Sequence, residues 1–127
     1  MIKKILVDLS ATLIHHGHIR LLKKASKYGK VVVALTSDEE VKKYKGYNPE
    51  LDFNKRKEIL ESIKYVNKVI KSKWLIKDSF LKKHKINYLV HGSDNRNKVD
   101  KKRIIIFKRT KGISSTILRK KACKALK

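Results

Sequence analysis

Residues 5–35 read ILVDLSATLIHHGHIRLLKKASKYGKVVVAL, and their pattern of apolar residues predicts the class of fold. It begins with an apolar run, Ile5-Leu6-Val7, and ends with a second one at residues 31–35. Short runs of nearly continuous hydrophobicity are typical of strands covered on both faces of a parallel sheet. Between the runs, apolar residues recur with helical spacing at Leu21, Leu22, Ala25 and Tyr28. Gly29 then favours a helix stop, so the stretch predicts strand, helix, strand.

The same alternation continues along the chain. Further runs rich in β-branched residues occupy residues 66–70, 86–90 and 104–107. Apolar stripes with helical spacing lie at Ile59, Leu60 and Ile63, and at Leu118, Ala122, Ala125 and Leu126. This order predicts an α/β fold over residues 1–127: one domain with a doubly wound, Rossmann-like, five-stranded parallel sheet and helices on both faces. In such folds ligands bind beyond the carboxyl ends of the strands.

Composition limits the class of protein. The 127 residues are 41% hydrophobic and 35% charged, which supplies enough apolar material for the core of one domain. The single cysteine, Cys123, excludes an intrachain disulfide and a zinc site built on paired thiols. No run approaches the roughly 18 consecutive apolar residues of a membrane span. We therefore expect a cytoplasmic protein that does not enter a membrane.

The charge of the chain predicts an anionic partner. Its 34 Lys and Arg residues against 11 Asp and Glu residues give a net charge of +23, which attracts nucleotides, phosphorylated metabolites and nucleic acids. Aromatic residues make up only 7% and show no base-stacking pattern, so we do not expect nucleic acid to be the partner. A basic module that binds RNA, DNA or an anionic surface stays open as an alternative class.

The first candidate site is His15-His16-Gly17-His18, which lies at the predicted start of the first helix. A helix N-terminus presents amide groups and the positive end of a dipole, so a phosphate can bind there while imidazoles contact it. Gly17 would let the backbone approach the ligand closely. Two alternatives are an exposed loop without a function and a metal site with His91 as a third ligand.

The second candidate site is RTKGISST at residues 109–116, which also lies between a predicted strand and a predicted helix. Ser114 fits an N-cap, and the hydroxyls of Ser115 and Thr116 with the first helical amides form an anion cradle. The basic residues Arg109, Lys111 and Arg119 flank it. Alone, such a run is more often only a cap. Two cradles at one sheet edge fit a triphosphate better than either does singly.

Together these segments resemble the signatures of the cytidylyltransferase family of nucleotidyltransferases, H-x-G-H (the HxGH motif) and R-T-x-G-I-S-T-T. Residues 35–39, LTSDE, resemble the family's S-T-D-E segment. Residues 56–66, RKEILESIKYV, resemble the family's E-x-R-x-x-I-L-x-x-I-R-Y-V-D segment. The resemblance spans nearly the whole chain in the family's order and spacing.

The resemblance implies an activity and its reactants. The reaction would transfer CMP from CTP to a small phosphorylated alcohol or sugar such as glycerol 3-phosphate, with release of pyrophosphate. Mg²⁺ would be bound mainly through the nucleotide phosphates, with no metal ligand from the protein. The related enzymes pack as homodimers through the segment that contains Tyr65 and Val66, so a homodimer is expected by analogy.

The resemblance also implies roles for single residues. His15 and His18 would contact the α-phosphate region, while Lys45, or a neighbour in residues 45–50, and Arg109 would hold phosphates as further catalytic groups. Residues 45–50 are the least periodic part of the chain and predict a mobile loop. Contacts to nucleotide or substrate are implied for Ser10, Gly17, Arg56, Gly92, Asp94, Thr110, Gly112, Ile113, Ser114, Ser115 and Thr116.

The chain departs from the family pattern at two places. The family's G-T-F-D reads Leu9-Ser10-Ala11-Thr12, and its G-D-D-W reads Gly92-Ser93-Asp94-Asn95, so each segment lacks a carboxylate and the second lacks its Trp. The S-S-T-x-x-R pattern of residues 114–119 also occurs in adenylyltransferases of the same superfamily. An ATP-dependent enzyme, an altered substrate and a member that binds nucleotide without turnover therefore remain alternatives.

Overall fold

A computed structural model describes residues 2–92 and 97–126 of the chain. In these ranges the strands are β1 (Lys4–Leu9), β2 (Lys30–Thr36), β3 (Lys68–Ser72), β4 (Tyr88–His91) and β5 (Ile104–Ile106). The helices are α1 (His16–Ser26), α2 (Asp38–Lys45), α3 (Phe53–Glu61), α4 (Asp78–Lys83) and α5 (Ser115–Ala125), and a 3-10 turn spans Lys101–Arg103. All the predicted strands are confirmed, with β3 and β4 beginning two residues later than expected.

The strands form a parallel five-stranded sheet in the order β3-β2-β1-β4-β5. Val7 at the centre of the sheet lies opposite Val33 of β2 and Val90 of β4. The chain leaves β1 towards β2 and β3 and returns to the other side of β1 to form β4 and β5. This confirms the doubly wound, Rossmann-like prediction and places the topological switch point between β1 and β4.

A hydrophobic core covers each face of the sheet, as alternation along β1 requires. Ile5 and Val7 point to one core and Leu6 to the other, because successive side chains of a strand face opposite sides. The first core includes Leu22 and Ala25 of α1 and Leu60 of α3. The second includes Ile76, Leu81 and Ile86 from the region of α4. Helices therefore pack on both faces of the sheet.

Helix α5 differs from the other helices in its packing. It contributes no buried side chain among the residues that the structure describes, and Leu126 is 88% exposed. The predicted apolar stripe is therefore present in sequence, but the part of α5 beyond Arg119 lies in solvent. The importance of α5 for the fold is at its N-terminus, which begins close to the carboxyl edge of the sheet.

The segment between α2 and α3 corresponds to the predicted loop. Helix α2 ends at Lys45, and Gly46 adopts the left-handed conformation (φ 81°) that closes a helix C-terminus. Asp52 then caps α3 through a hydrogen bond from the Lys55 amide. Lys45 is thus fixed as the last helical residue, not a member of the loop. Within residues 2–92 and 97–126, no helix combines the length and apolar content needed to cross a membrane.

Candidate active site

A cavity of about 450 Å³ opens at the carboxyl edge of the sheet, beside the switch point between β1 and β4. It is lined by the four residues expected to be catalytic, namely His15, His18, Lys45 and Arg109. It is also lined by most residues expected to bind the nucleotide: Ser10, Gly17, Gly92, Thr110, Ile113, Ser114, Ser115 and Thr116. The fold therefore brings together at one site two motifs that lie nearly a hundred residues apart in the sequence.

The two motif histidines are held by a reciprocal pair of hydrogen bonds at the N-terminus of α1. The Gly17 amide donates to Nδ1 of His15 (3.1 Å), and the His15 amide donates to Nδ1 of His18 (3.1 Å). An Nδ1 that accepts a hydrogen bond carries no proton, so the proton of each neutral ring is on Nε2. Each imidazole therefore has an Nε2–H donor available at a cavity that it lines.

The electrostatics of the cavity keep these imidazoles neutral. Burial lowers the pKa of His18 to about 3, and the charges of His15, Lys45 and Arg109 act in the same direction. Burial, followed by the charge of His16, also lowers the pKa of His15. At neutral pH both rings are hydrogen-bond donors without a charge. Positive charge at the cavity comes instead from Arg20, Lys24, Lys45, Lys108 and Arg109.

Gly17 is required by close packing between the two motifs. A Cβ atom at this position would lie 2.8 Å from Cε1 of His15 and 3.3 Å from Cγ2 of Ile113. The first distance is shorter than contacts between carbon atoms allow, so any larger residue would displace the His15 ring. The glycine of the histidine motif thus allows both its own histidine and the second motif to approach the start of α1.

Ser115 joins the two motifs directly. Its hydroxyl donates to the carbonyl oxygen of Leu13 (2.9 Å) and accepts from the Leu13 amide (3.2 Å). We call this pair of hydrogen bonds the Ser115 clasp. Ser114 is the N-cap of α5, since its hydroxyl accepts from the Ile117 amide (3.0 Å). The predicted N-cap is confirmed. The Ser115 hydroxyl, however, donates its proton to the carbonyl oxygen of Leu13 and not to a phosphate.

Two of the expected binding residues, Arg56 and Gly112, are not among the residues that line the cavity. Arg56 is fully buried, and its guanidinium donates to the carbonyl oxygens of Leu51, Ser10 and Thr36 and to the Asp38 carboxylate. The expectation that Arg56 contacts nucleotide or substrate is therefore corrected: it ties together the chain after β1 and after β2. Gly112 has φ 77° in the turn before α5, and a Cβ atom added there would meet no atom within 4 Å. Asp94 lies outside the described residues.

A polar cluster at the switch point was not predicted from the sequence. Nδ1 of His91 donates to Oδ1 of Asp8 (2.5 Å), and Nδ2 of Asn97 donates to Oδ2 of Asp8 (2.9 Å). All three residues line the cavity, where Asp8 supplies the only carboxylate of the described residues. Asp8 gave a signal in the sequence, since a charged residue near the carboxyl end of a buried strand faces the ligand edge of the sheet.

The alternative of a metal site is not supported by the described residues. Among residues 2–92 and 97–126, no group of three or more His, Cys, Asp or Glu side chains is placed to hold a metal ion. His91 bonds to Asp8 and does not join His15 and His18 in such a group. The cations of the cavity match an anionic ligand better than a metal ion.

Comparisons with known proteins agree with this geometry. A family model described as cytidylyltransferase-like matches residues 11–121. Glycerol-3-phosphate cytidylyltransferase of Staphylococcus aureus is 38% identical over 122 residues, which cover 90% of this chain and 90% of that protein. Ethanolamine-phosphate cytidylyltransferase of Arabidopsis thaliana is 31% identical over 129 residues, covering 89% of this chain and 30% of that protein.

A solved structure shows the same fold. The lipopolysaccharide core biosynthesis protein from Thermoplasma volcanium GSS1 matches with a TM-score of 0.72 at 19% identity, covering 87% of this chain and 99% of that one. At this identity the likeness concerns the fold alone. The family match covers most of the chain, and the cavity joins both motifs that carried the resemblance. The chain therefore belongs to the cytidylyltransferase-like family and is a nucleotidyltransferase.

Proposed function

We propose that this enzyme transfers CMP from CTP to the phosphate of a small phosphorylated alcohol, with glycerol 3-phosphate as the preferred type of acceptor. The observation that carries the proposal is the Ser115 clasp, which holds the N-terminus of α5 against the segment that leads into His15. Two helix N-termini and two neutral imidazoles then face one cavity of a size that suits a nucleotide. The name of the Staphylococcus aureus relative supports the choice of acceptor.

The reaction would be a direct displacement at the α-phosphorus of CTP. An oxygen of the acceptor phosphate forms a bond to the α-phosphorus, the bond from that phosphorus to the bridging oxygen breaks, and pyrophosphate leaves with the electron pair. No protein nucleophile is needed, so catalysis consists of positioning and stabilisation of charge. The Nε2–H groups of His15 and His18 donate to the oxygens on which charge develops. Lys45 and Arg109 bind the negatively charged phosphates.

The residues of the cavity fit Mg²⁺ only as a counter-ion that enters with the triphosphate. Asp8 is the one carboxylate that the described residues place there, and both of its oxygens accept hydrogen bonds from His91 and Asn97. Mg²⁺ prefers oxygen ligands in octahedral geometry and often takes them from phosphates and water. When bound, it would neutralise charge on the phosphates, and the protein would hold the phosphates.

The test is a screen for pyrophosphate release. CTP and ATP are each offered with glycerol 3-phosphate, ethanolamine phosphate and sugar phosphates in the presence of Mg²⁺. We expect the fastest release with CTP and glycerol 3-phosphate, together with formation of the corresponding cytidine diphosphate product. Preference for ATP would overturn the choice of nucleotide. Tight CTP binding by calorimetry without release from any pair would instead identify a protein that binds nucleotide without turnover.

We also propose that the enzyme is a homodimer. Tyr65 and Val66 are half-buried against the first core, and Ile59 nearby in sequence is 38% exposed. These side chains precede β3, which is an edge strand of the sheet and offers unpaired backbone groups. Light scattering should give twice the chain mass of 14.8 kDa, and a monomeric mass at assay concentrations would reject the dimer.

A further inference from the structure

A cluster of side chains outside the reacting centre is formed around Arg119 on α5. Its guanidinium makes two hydrogen bonds to the Glu50 carboxylate, one of them at 2.8 Å, and a third to the hydroxyl of Thr12 at 3.2 Å. It also stacks over the ring of Tyr47, 4.5 Å from the centroid. Paired hydrogen bonds between an arginine and a carboxylate fix geometry as well as adding energy. We call Arg119, Glu50, Tyr47 and Thr12 the Arg119 latch.

The latch connects three separate parts of the chain. Thr12 is fully buried in the segment after β1, Arg119 lies in the second turn of α5, and Glu50 and Tyr47 lie between α2 and α3. The pKa values of the charged pair show the same coupling. The hydrogen bond from Arg119 lowers the pKa of Glu50, and the hydrogen bond to Glu50 raises that of Arg119. The segment after α2 is therefore fastened to the N-terminal part of α5.

Lys45 immediately precedes the fastened segment. It ends α2, lines the cavity, and contributes to the lowered pKa of His18 through its charge. The charge of Lys45 is also among the causes that lower the pKa of Glu50, which lies five positions further along the chain. A Glu50 carboxylate released from Arg119 would compete with phosphates for Lys45. Arg119 thus holds the Glu50 carboxylate in an ion pair and also anchors the segment next to Lys45.

We propose that Arg119 and Glu50 act as positioning residues that hold Lys45 available for the triphosphate. This inference rests on the proposed function, since it assigns the latch a role in binding CTP. Arg119 is then not a phosphate ligand, although it follows the S-S-T run at a spacing that suggested one. The latch acts on binding, so its loss should raise KM for CTP while kcat stays nearly constant.

A double-mutant cycle in the full chain tests the proposal. Glu50→Gln should raise KM for CTP about 3-fold by loosening the segment, and Arg119→Ala should raise it about 10-fold because Glu50 is then left to pair with Lys45. The double variant should return close to the 3-fold value, with kcat within 2-fold throughout. Glu39→Gln on α2 and Lys121→Ala on α5 remove the same charges from exposed positions and serve as matched controls.

The cycle also has outcomes that overturn the proposal. If Arg119 contacts phosphate directly, Glu50→Gln will leave KM for CTP unchanged or lower it. The double variant will then have a KM for CTP as high as that of Arg119→Ala. If the latch is merely structural, the variants will lower the melting temperature without changing KM. Hydrogen exchange of residues 46–52 in the free protein gives a readout without turnover, and both single variants should exchange faster there than wild type. Unchanged exchange overturns the latch itself, whereas absent pyrophosphate release by wild type rejects only the proposed function.

Discussion

His18 has two separate tasks in the structure, and two substitutions can separate them. Its Nδ1 accepts from the His15 amide, and its Nε2–H is available at the cavity. His18→Asn places an amide oxygen near the position of Nδ1, so the acceptor is kept and the Nε2 donor is lost. His18→Gln does the reverse, since its longer side chain can present an N–H near the position of Nε2 but no acceptor near Nδ1.

Loss of the Nε2 donor should lower kcat, whereas loss of the Nδ1 acceptor should lower the melting temperature. Losing one preorganised donor at the site of developing charge lowers kcat by about 10² to 10³. Losing a capping hydrogen bond costs about 1 kcal/mol, or about 4 °C in melting temperature for a domain of this size. We therefore expect His18→Asn to lower kcat at least 100-fold with little change in melting temperature. His18→Gln should lose about 4 °C and retain more of the turnover.

The assay combines pyrophosphate release under saturating CTP with thermal unfolding of the same preparations. His16→Asn is the matched control, because His16 is the exposed neighbour in the same motif and does not line the cavity. Its turnover and melting temperature should stay near those of wild type. A kcat within 3-fold of wild type for His18→Asn, with a melting temperature lowered by several degrees, would show that His18 is only a capping residue.

Three further predictions concern stability and binding. Arg56→Met should destabilise the protein by about 3–5 kcal/mol in urea unfolding, because it leaves Asp38 and three carbonyl oxygens without their donor; a stable variant with a raised acceptor KM would restore Arg56 to the substrate side. Ser115→Ala should cost about 1–3 kcal/mol and weaken CTP binding by calorimetry, and unchanged affinity would contradict the Ser115 clasp. The pKa of His18 falls from 6.5 to about 3 on folding, so between these pH values the unfolded chain binds one proton more than the folded chain. The free energy of unfolding of wild type should therefore fall by about 2 kcal/mol, through this group, between pH 7.5 and pH 5. His18→Asn should lack that part of the pH dependence in urea unfolding, and an identical dependence in both proteins would contradict burial of the neutral ring.

The fold class could be predicted from the sequence because every strand and the helices α1, α3 and α5 had a local signal, whereas no apolar stripe marked α2 or α4. The apolar runs have the length and continuity of buried parallel strands, and Leu22 and Ala25 of the first stripe are buried as its spacing predicts. The stripe did not give the extent of α1, which spans His16–Ser26, and Tyr28 lies beyond the helix with 51% of its surface exposed. The order of the strands was not predicted, but a parallel sheet built of alternating strands and helices allows few arrangements, and all of them place the carboxyl ends of the strands at one edge. The histidine and serine motifs could be placed at one edge for the same reason.

The roles of Arg56 and Ser115 could not be predicted in this way. Each side chain has the chemistry to bind a phosphate, and only the positions of distant backbone groups decide what it binds. Arg56 is surrounded by carbonyl oxygens from two strand ends, and Ser115 lies within reach of Leu13, which is 102 positions away. Contacts over such separations depend on how the strands and helices pack. The ion pair of Arg119 and Glu50 could not be predicted from the sequence for the same reason.

If both motifs bind one triphosphate, NMR can follow the two of them during a single titration. Protein labelled with ¹⁵N is titrated with CTP and Mg²⁺ while the Nε2 signals of His15 and His18 and the amide signals of Ser115 and Thr116 are recorded. We expect the signals of all four residues to shift along one binding curve with a single Kd. Movement of the histidine signals while the α5 amides stay fixed, or the reverse, would contradict a shared site.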